Sequence, residues 1–140
     1  TFLIPTLAFS SVAWAHSGVK NAMVKARMDA MSEIGENTKT IGKMAKGQIA
    51  FDAALARASA AAIAQSAAQT PVHFEMNETD PKSEALPKIW ENYEDFIFKA
   101  KALEIVALDL STSVQTVDDL GPGMARLGQA CKSCHAQYRQ

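Results

Sequence analysis

Nine residues before the end of the chain begins the run Cys131-Lys132-Ser133-Cys134-His135, and no other stretch restricts fold and chemistry as strongly. Two thiols three residues apart can each add to one vinyl group of a haem, and the imidazole that follows can take the iron from below. Other Cys-x-x-Cys chemistry fits less well. A zinc site wants four ligands, yet the chain holds no other cysteine, and its further histidines are His16 and His73 alone. A thioredoxin-like redox pair wants a βαβ setting, and no strand-like segment flanks this one. The run therefore predicts one haem c with its iron, joined covalently through Cys131 and Cys134 and ligated by His135.

The opposite end of the chain supports export. Residues 1–15 carry no charge, are mostly apolar and close on Val12-Ala13-Trp14-Ala15, an Ala-x-Ala pattern of the kind signal peptidase reads. The apolar run 2–9 is too short to span a bilayer and contains Pro5. With no charged start and no initiator Met before it, 1–15 is expected to be the remnant of a secretory signal cleaved near Ala15; the alternative is a short apolar arm packed on the domain. In bacteria c-type haem is attached outside the cytoplasm, so a periplasmic protein is expected, with no membrane insertion once the leader is removed. Residues 16–140 are one domain by length. A net charge of −1 supplies no basic face for phosphates, which argues against nucleic acid as partner.

Between the ends the pattern is helical. Over 18–46, Val19, Met23, Ala26, Ala30, Ile34, Ile41 and Ala45 recur at helical spacing, and Gly47 is placed to stop the helix. Gly35 and Gly42 lie seven apart on one side, which predicts a close packing contact. A second, Ala-rich helix over 50–69 has Phe51, Leu55, Ala58, Ala62 and Ile63 as its apolar stripe and an apolar flank that could form a subunit interface. Residues 70–83, with Pro71 and Pro81, read as a loop. A third helix is expected from Ser83 as N-cap to about Ser111, and a fourth from Pro122 through the haem motif, with Val117–Leu120 either a separate turn or a kinked start. Four amphipathic helices without strands predict an all-α, antiparallel four-helix bundle.

With haem near the end of the fourth helix, the chain resembles the class II c-type cytochromes, the cytochrome c′ group. The resemblance covers 18–140 and is carried by the terminal run 131–139, by Val24-Lys25-Ala26-Arg27 leading to Met31, by Lys46-Gly47-Gln48 followed by Phe51-Asp52, and by Pro87-Lys88-Ile89-Trp90. It implies that His135 is the proximal ligand with Arg139 the basic residue beside it. It also implies that Arg27 pairs with a haem propionate, that Phe74 and Trp90 line the pocket, and that Met31 faces the distal side of the iron. In gas-binding members that distal residue is usually Leu and the iron is high-spin; in another branch it is Met, the iron is low-spin and the protein carries electrons.

Read without the resemblance, Met31 is more readily ordinary core than a ligand, since methionine is a common gap-filler. Met28 is its main rival as ligand, with Met23 and Met44 further off. Arg27 and Met31, four apart, share a helix face, and an Arg among apolar positions needs an anion. His73, in the expected loop, reads as exposed, and Asp118 and Asp119 as cap residues. The expected function is a one-electron carrier with axial ligands His135 and Met31, serving redox proteins of the periplasm, and a homodimer is compatible with the apolar flanks. The alternative is a high-spin protein that binds or sequesters NO or CO. No enzyme is expected: no nucleophilic triad, paired buried acids or phosphate loop is present, and peroxidase chemistry would want a distal acid/base group.

Overall fold

The computed structural model describes residues 18–140; the leader at 1–15 and His16 lie outside the described residues. Helix α1 spans Ala22–Ala45, α2 Ala53–His73, the single-turn α3 Lys88–Glu91, α4 Tyr93–Ser113 and α5 Leu120–Tyr138. The four long helices form a bundle in which α2 packs on α1 and α4, while α5 packs on α4 and α1. None of the described helices is long and apolar enough to cross a membrane.

Helix α1 starts at Ala22, not 18, because Asn21 caps it: its Oδ1 accepts from the backbone N–H groups of Met23 and Val24, both at 2.9 Å. Asp80 fixes the approach by accepting from the backbone N–H groups of Lys20 (2.8 Å) and Asn21 (3.0 Å). Gly47, at φ +68°, ends the helix as expected, a left-handed position that favours glycine. The buried face is Val24, Arg27, Ile34, Ile41 and Met44. Of the stripe read from the sequence, Ile34 and Ile41 are buried; Met23, Ala26 and Ala30 are only half-buried. Arg27 occupies a core position because its head group finds backbone acceptors there.

Helix α2 is capped by Asp52, whose Oδ1 accepts from the Leu55 N–H. It buries mostly small residues, Ala56, Ser59, Ala60, Ala64 and Ala67 around Ile63, and so lets α1 and α4 approach closely. Leu55 and Ala58, read as core, face outward, and Leu55 and Val72 are the large apolar side chains that this helix leaves exposed. The helix also runs past the expected stop at 69, through Pro71 to His73. Side chains from elsewhere satisfy its final carbonyls: Tyr93 Oη donates to Pro71 O (2.6 Å), Arg27 Nε to His73 O (2.7 Å) and Trp90 Nε1 to Phe74 O (2.8 Å).

The third helix departs from expectation at its start. Ser83 is not its N-cap; its Oγ accepts from the Ala85 N–H in a turn, and residues 84–86 pair with the end of the chain. Leu86 N–H donates to Tyr138 O (2.9 Å) and Gln140 N–H to Glu84 O (3.0 Å). Helix begins only after Pro87 and breaks at Asn92. The break lets Trp90 and Tyr93 both reach the end of α2.

Val117–Asp119 is a separate 3₁₀ turn with a Thr116/Asp119 capping box, so Asp119 does cap chemistry as expected. Pro122 then sits in the first turn of α5, where its missing N–H costs nothing. Of the glycines that face other helices, Gly123 packs hardest: a Cβ there would lie 2.6 Å from Leu110 Cδ2, whereas one at Gly42 would lie 3.3 Å from the flexible tip of Met124. Gly123→Ala should therefore destabilise by about 1–2 kcal/mol, overpacking outweighing helix propensity, and Gly42→Ala should stabilise by up to about 1 kcal/mol. Urea denaturation of the two variants checks the sign of each.

Candidate functional site

A cavity of about 490 Å³ opens between α1, α4 and the end of α5, closed on one side by 83–85. Protein interiors are close-packed, and a mainly apolar space of this size is in the range of a built ligand site. Cys131, Cys134 and His135 border it from α5; Arg27, Met28, Met31 and Gly35 border it from α1. Helical spacing places the two cysteines on one face of α5, with His135 one turn on from Cys131. Phe74 closes the wall together with Phe96, their ring centroids 4.9 Å apart.

The two thiols are free of any disulfide. Burial pushes both above the usual thiol range, Cys134 to about 11, so both are neutral at physiological pH. His135 is pushed down, first by burial and then by the nearby Arg139 guanidinium, with Glu84 opposing. That favours the neutral imidazole that a metal requires. Arg139 is held by Glu84, its Nε donating to Oε2 at 2.6 Å.

Arg27 is 3% exposed. Its guanidinium donates to three backbone carbonyls, His73 O (2.7 Å), Glu78 O (2.8 Å) and Met76 O (2.5 Å), and lies 4.6 Å from the centre of the Phe74 ring. No described carboxylate forms an ion pair with it. Burial lowers its pKa and Glu78 at a distance raises it.

Not every residue expected at the pocket borders it. Trp90 stands outside, 6.3 Å from Phe74 between ring centroids, its indole N–H spent on the Phe74 carbonyl. Met44 is core at 1% exposure, and Met23 is absent from the cavity wall. His73 is only half-buried and faces a smaller polar pocket with Glu33 and Ser66, not the main cavity. Its Nδ1 has no partner among the described residues. Phe96, Lys99 and Tyr138 join the wall beyond the residues expected from the sequence. Tyr138 is within reach of sequence reasoning, because it is three and four residues on from His135 and Cys134 on a helix.

The wall suits a haem. Gly35 borders the cavity, yet a Cβ built on it meets no protein atom within 4 Å. The packing partner expected for it is thus not protein. A flat apolar ring would fill that space, with the two thiols and the imidazole bordering the same cavity and Arg27, which no described carboxylate pairs, on its wall.

The sequence profile of cytochrome c′ matches residues 22–139. Cytochrome c-556 of Agrobacterium tumefaciens (strain apple 185) is 36% identical over 118 residues, 81% of this chain and 91% of that protein. The solved cytochrome c′ from Rhodopseudomonas palustris superimposes with a TM-score of 0.80 at 30% identity, over 86% of this chain and 98% of that one. A nitric oxide complex of a mutant cytochrome c′ from Alcaligenes xylosoxidans gives a TM-score of 0.74 at 26% identity, over 84% of this chain and 94% of that one. A bundle with a C-terminal haem motif, a cavity to receive the ring and a profile match across the domain lead to one assignment: the chain belongs to the cytochrome c′ family, class II c-type cytochromes with covalent haem c.

Proposed function

We propose that this protein is a periplasmic one-electron carrier whose haem iron is ligated by His135 and Met31. The observation that carries the reading is that Met31 borders the same cavity as Cys131, Cys134 and His135, from the helix across from them. Of the six methionines, only Met31 and Met28 border it. Met31 also packs on the main core and is one helical turn from Arg27.

Haem supplies the redox chemistry; the chain's residues hold and tune it. Cys131 and Cys134 would attach the ring and His135 would offer a neutral imidazole. The Met31 thioether, a soft neutral ligand, favours the reduced metal. Held by both His135 and Met31, the iron would keep the same protein ligands in either oxidation state, which would suit one-electron transfer to protein partners. Arg27 would neutralise a propionate, since a buried cation without a carboxylate is costly. Arg139 would stand beside the proximal imidazole, where Glu84 already fixes it.

A second reading, gas binding, is favoured by the family's nitric oxide complex. It requires that Met31 not hold the iron. The absorption spectrum of the purified ferric protein separates the two: a low-spin spectrum with the weak methionine–iron charge-transfer band is expected, and a broad high-spin spectrum would sink the carrier reading.

A further inference from the structure

Helix α5 ends at Tyr138, one turn beyond His135. The last turn of a helix lacks intrahelical partners for its carbonyls and frays unless something ties it down. A metal ligand placed there inherits that looseness. Backbone pairing with residues 84–86 holds the chain from Tyr138 on, but it does not tie the side-chain face of that turn.

A buried side chain does. Tyr138 is 4% exposed, and its ring meets Phe96 edge-on at 5.4 Å between centroids. Its hydroxyl donates to Asp95 Oδ2 at 2.5 Å, the length of a charge-assisted bond. Asp95 lies in the first turn of α4, where the helix dipole favours a carboxylate. Lys99, one turn on, donates to both Asp95 oxygens at 2.8 and 2.6 Å, and it borders the haem cavity. Those hydrogen bonds hold the Asp95 carboxyl below the usual range. Burial first, and then the bond to Asp95, push the Tyr138 hydroxyl up to about 12. Tyr138 is therefore the donor throughout the neutral range. Cys134 packs against the same aromatic cluster.

We propose that Asp95 is a positioning residue for the haem: through the hydroxyl of Tyr138 it fixes the turn of α5 that carries Cys134 and His135, with Lys99 holding the carboxylate in place. The proposal rests on His135 being the iron's ligand. A bare phenyl ring would pack equally well in an apolar cluster but would leave the turn without this directional tie.

The test uses the haem-loaded protein. Tyr138→Phe and Asp95→Ala should each raise amide hydrogen exchange at 135–139 by about tenfold or more, with exchange in α1 and α2 unchanged. Each should also shift the hyperfine-displaced proton resonances of the His135 ring in the ferric state. Asp95→Asn keeps an oxygen acceptor and should restore those resonances most of the way. The double variant should be no worse than the poorer single one, because both remove the same bond. Wild-type resonances and local exchange in Tyr138→Phe would overturn the proposal. So would an exchange increase spread evenly over all helices, which marks a loss of bulk stability only. If the wild-type protein shows no hyperfine-displaced His135 resonances, it is the ligand reading that fails instead.

Discussion

Replacing Met31 with leucine is expected to convert the ferric haem from low-spin to high-spin, with loss of the methionine–iron band and gain of an open distal position. Leucine is close to methionine in volume, so the fold should survive with a cost below about 1.5 kcal/mol. The reduction potential should fall, because a thioether favours the reduced iron. A drop on the order of 0.1 V is modest against the roughly 0.8 V span that axial ligands cover. Carbon monoxide, which competes poorly with a sixth ligand, should bind the ferrous variant more tightly than the wild type. Met28→Leu is the control, since Met28 borders the same cavity and should leave spectrum and potential unchanged. If the two variants exchange behaviours, Met28 is the ligand. If neither changes the spectrum, both are wall residues and the gas-binding reading takes over.

Much of this site can be read along the chain because its chemistry is local. Cys131, Cys134 and His135 are adjacent in sequence, and α-helical geometry alone puts them on one cavity. Arg27 and Met31 are likewise one turn apart. What the sequence conceals are partners separated by tens of residues. Pro71 reads as a breaker, yet it falls in the last turn of α2, whose final carbonyls accept from Tyr93, Arg27 and Trp90, 16 to 46 residues away. Ser83 reads as an N-cap, but 84–86 pair with the last residues of the chain. Trp90 has the composition of a pocket residue, and only the Phe74 carbonyl shows why it turns aside. The apolar stripe expected for α2 is misphased for a different reason. In Ala-rich helices the small residues face the close contacts, while larger ones such as Leu55 can be left outside.

Arg27 joins the legible part of the site to the hidden part, and its replacement should be the most damaging of any wall residue. Arg27→Met keeps much of the buried stem but strips donors from the carbonyls of His73, Met76 and Glu78. Met76 and Glu78 are exposed and water can partly replace the lost bonds; the half-buried His73 is less well served. Hydrogen bonds to a charged donor contribute about 1.5–3 kcal/mol each and do not simply add, so a net loss of about 3–5 kcal/mol is expected. That should lower Tm by on the order of 10–20 °C and make the segment 74–86 the first site of proteolytic cutting. The charge has a separate consequence. A cation beside a propionate favours reduction, so removing it should lower the potential in Arg27→Met. Arg27→Lys tells the two roles apart. Lysine restores the charge, but it lacks the planar fork that meets three carbonyls at once. The lysine variant should therefore recover the potential while remaining thermally weak and protease-sensitive. A potential that is indifferent to both substitutions would remove Arg27 from the haem's electrostatics and leave it as the clasp of the 73–78 segment alone.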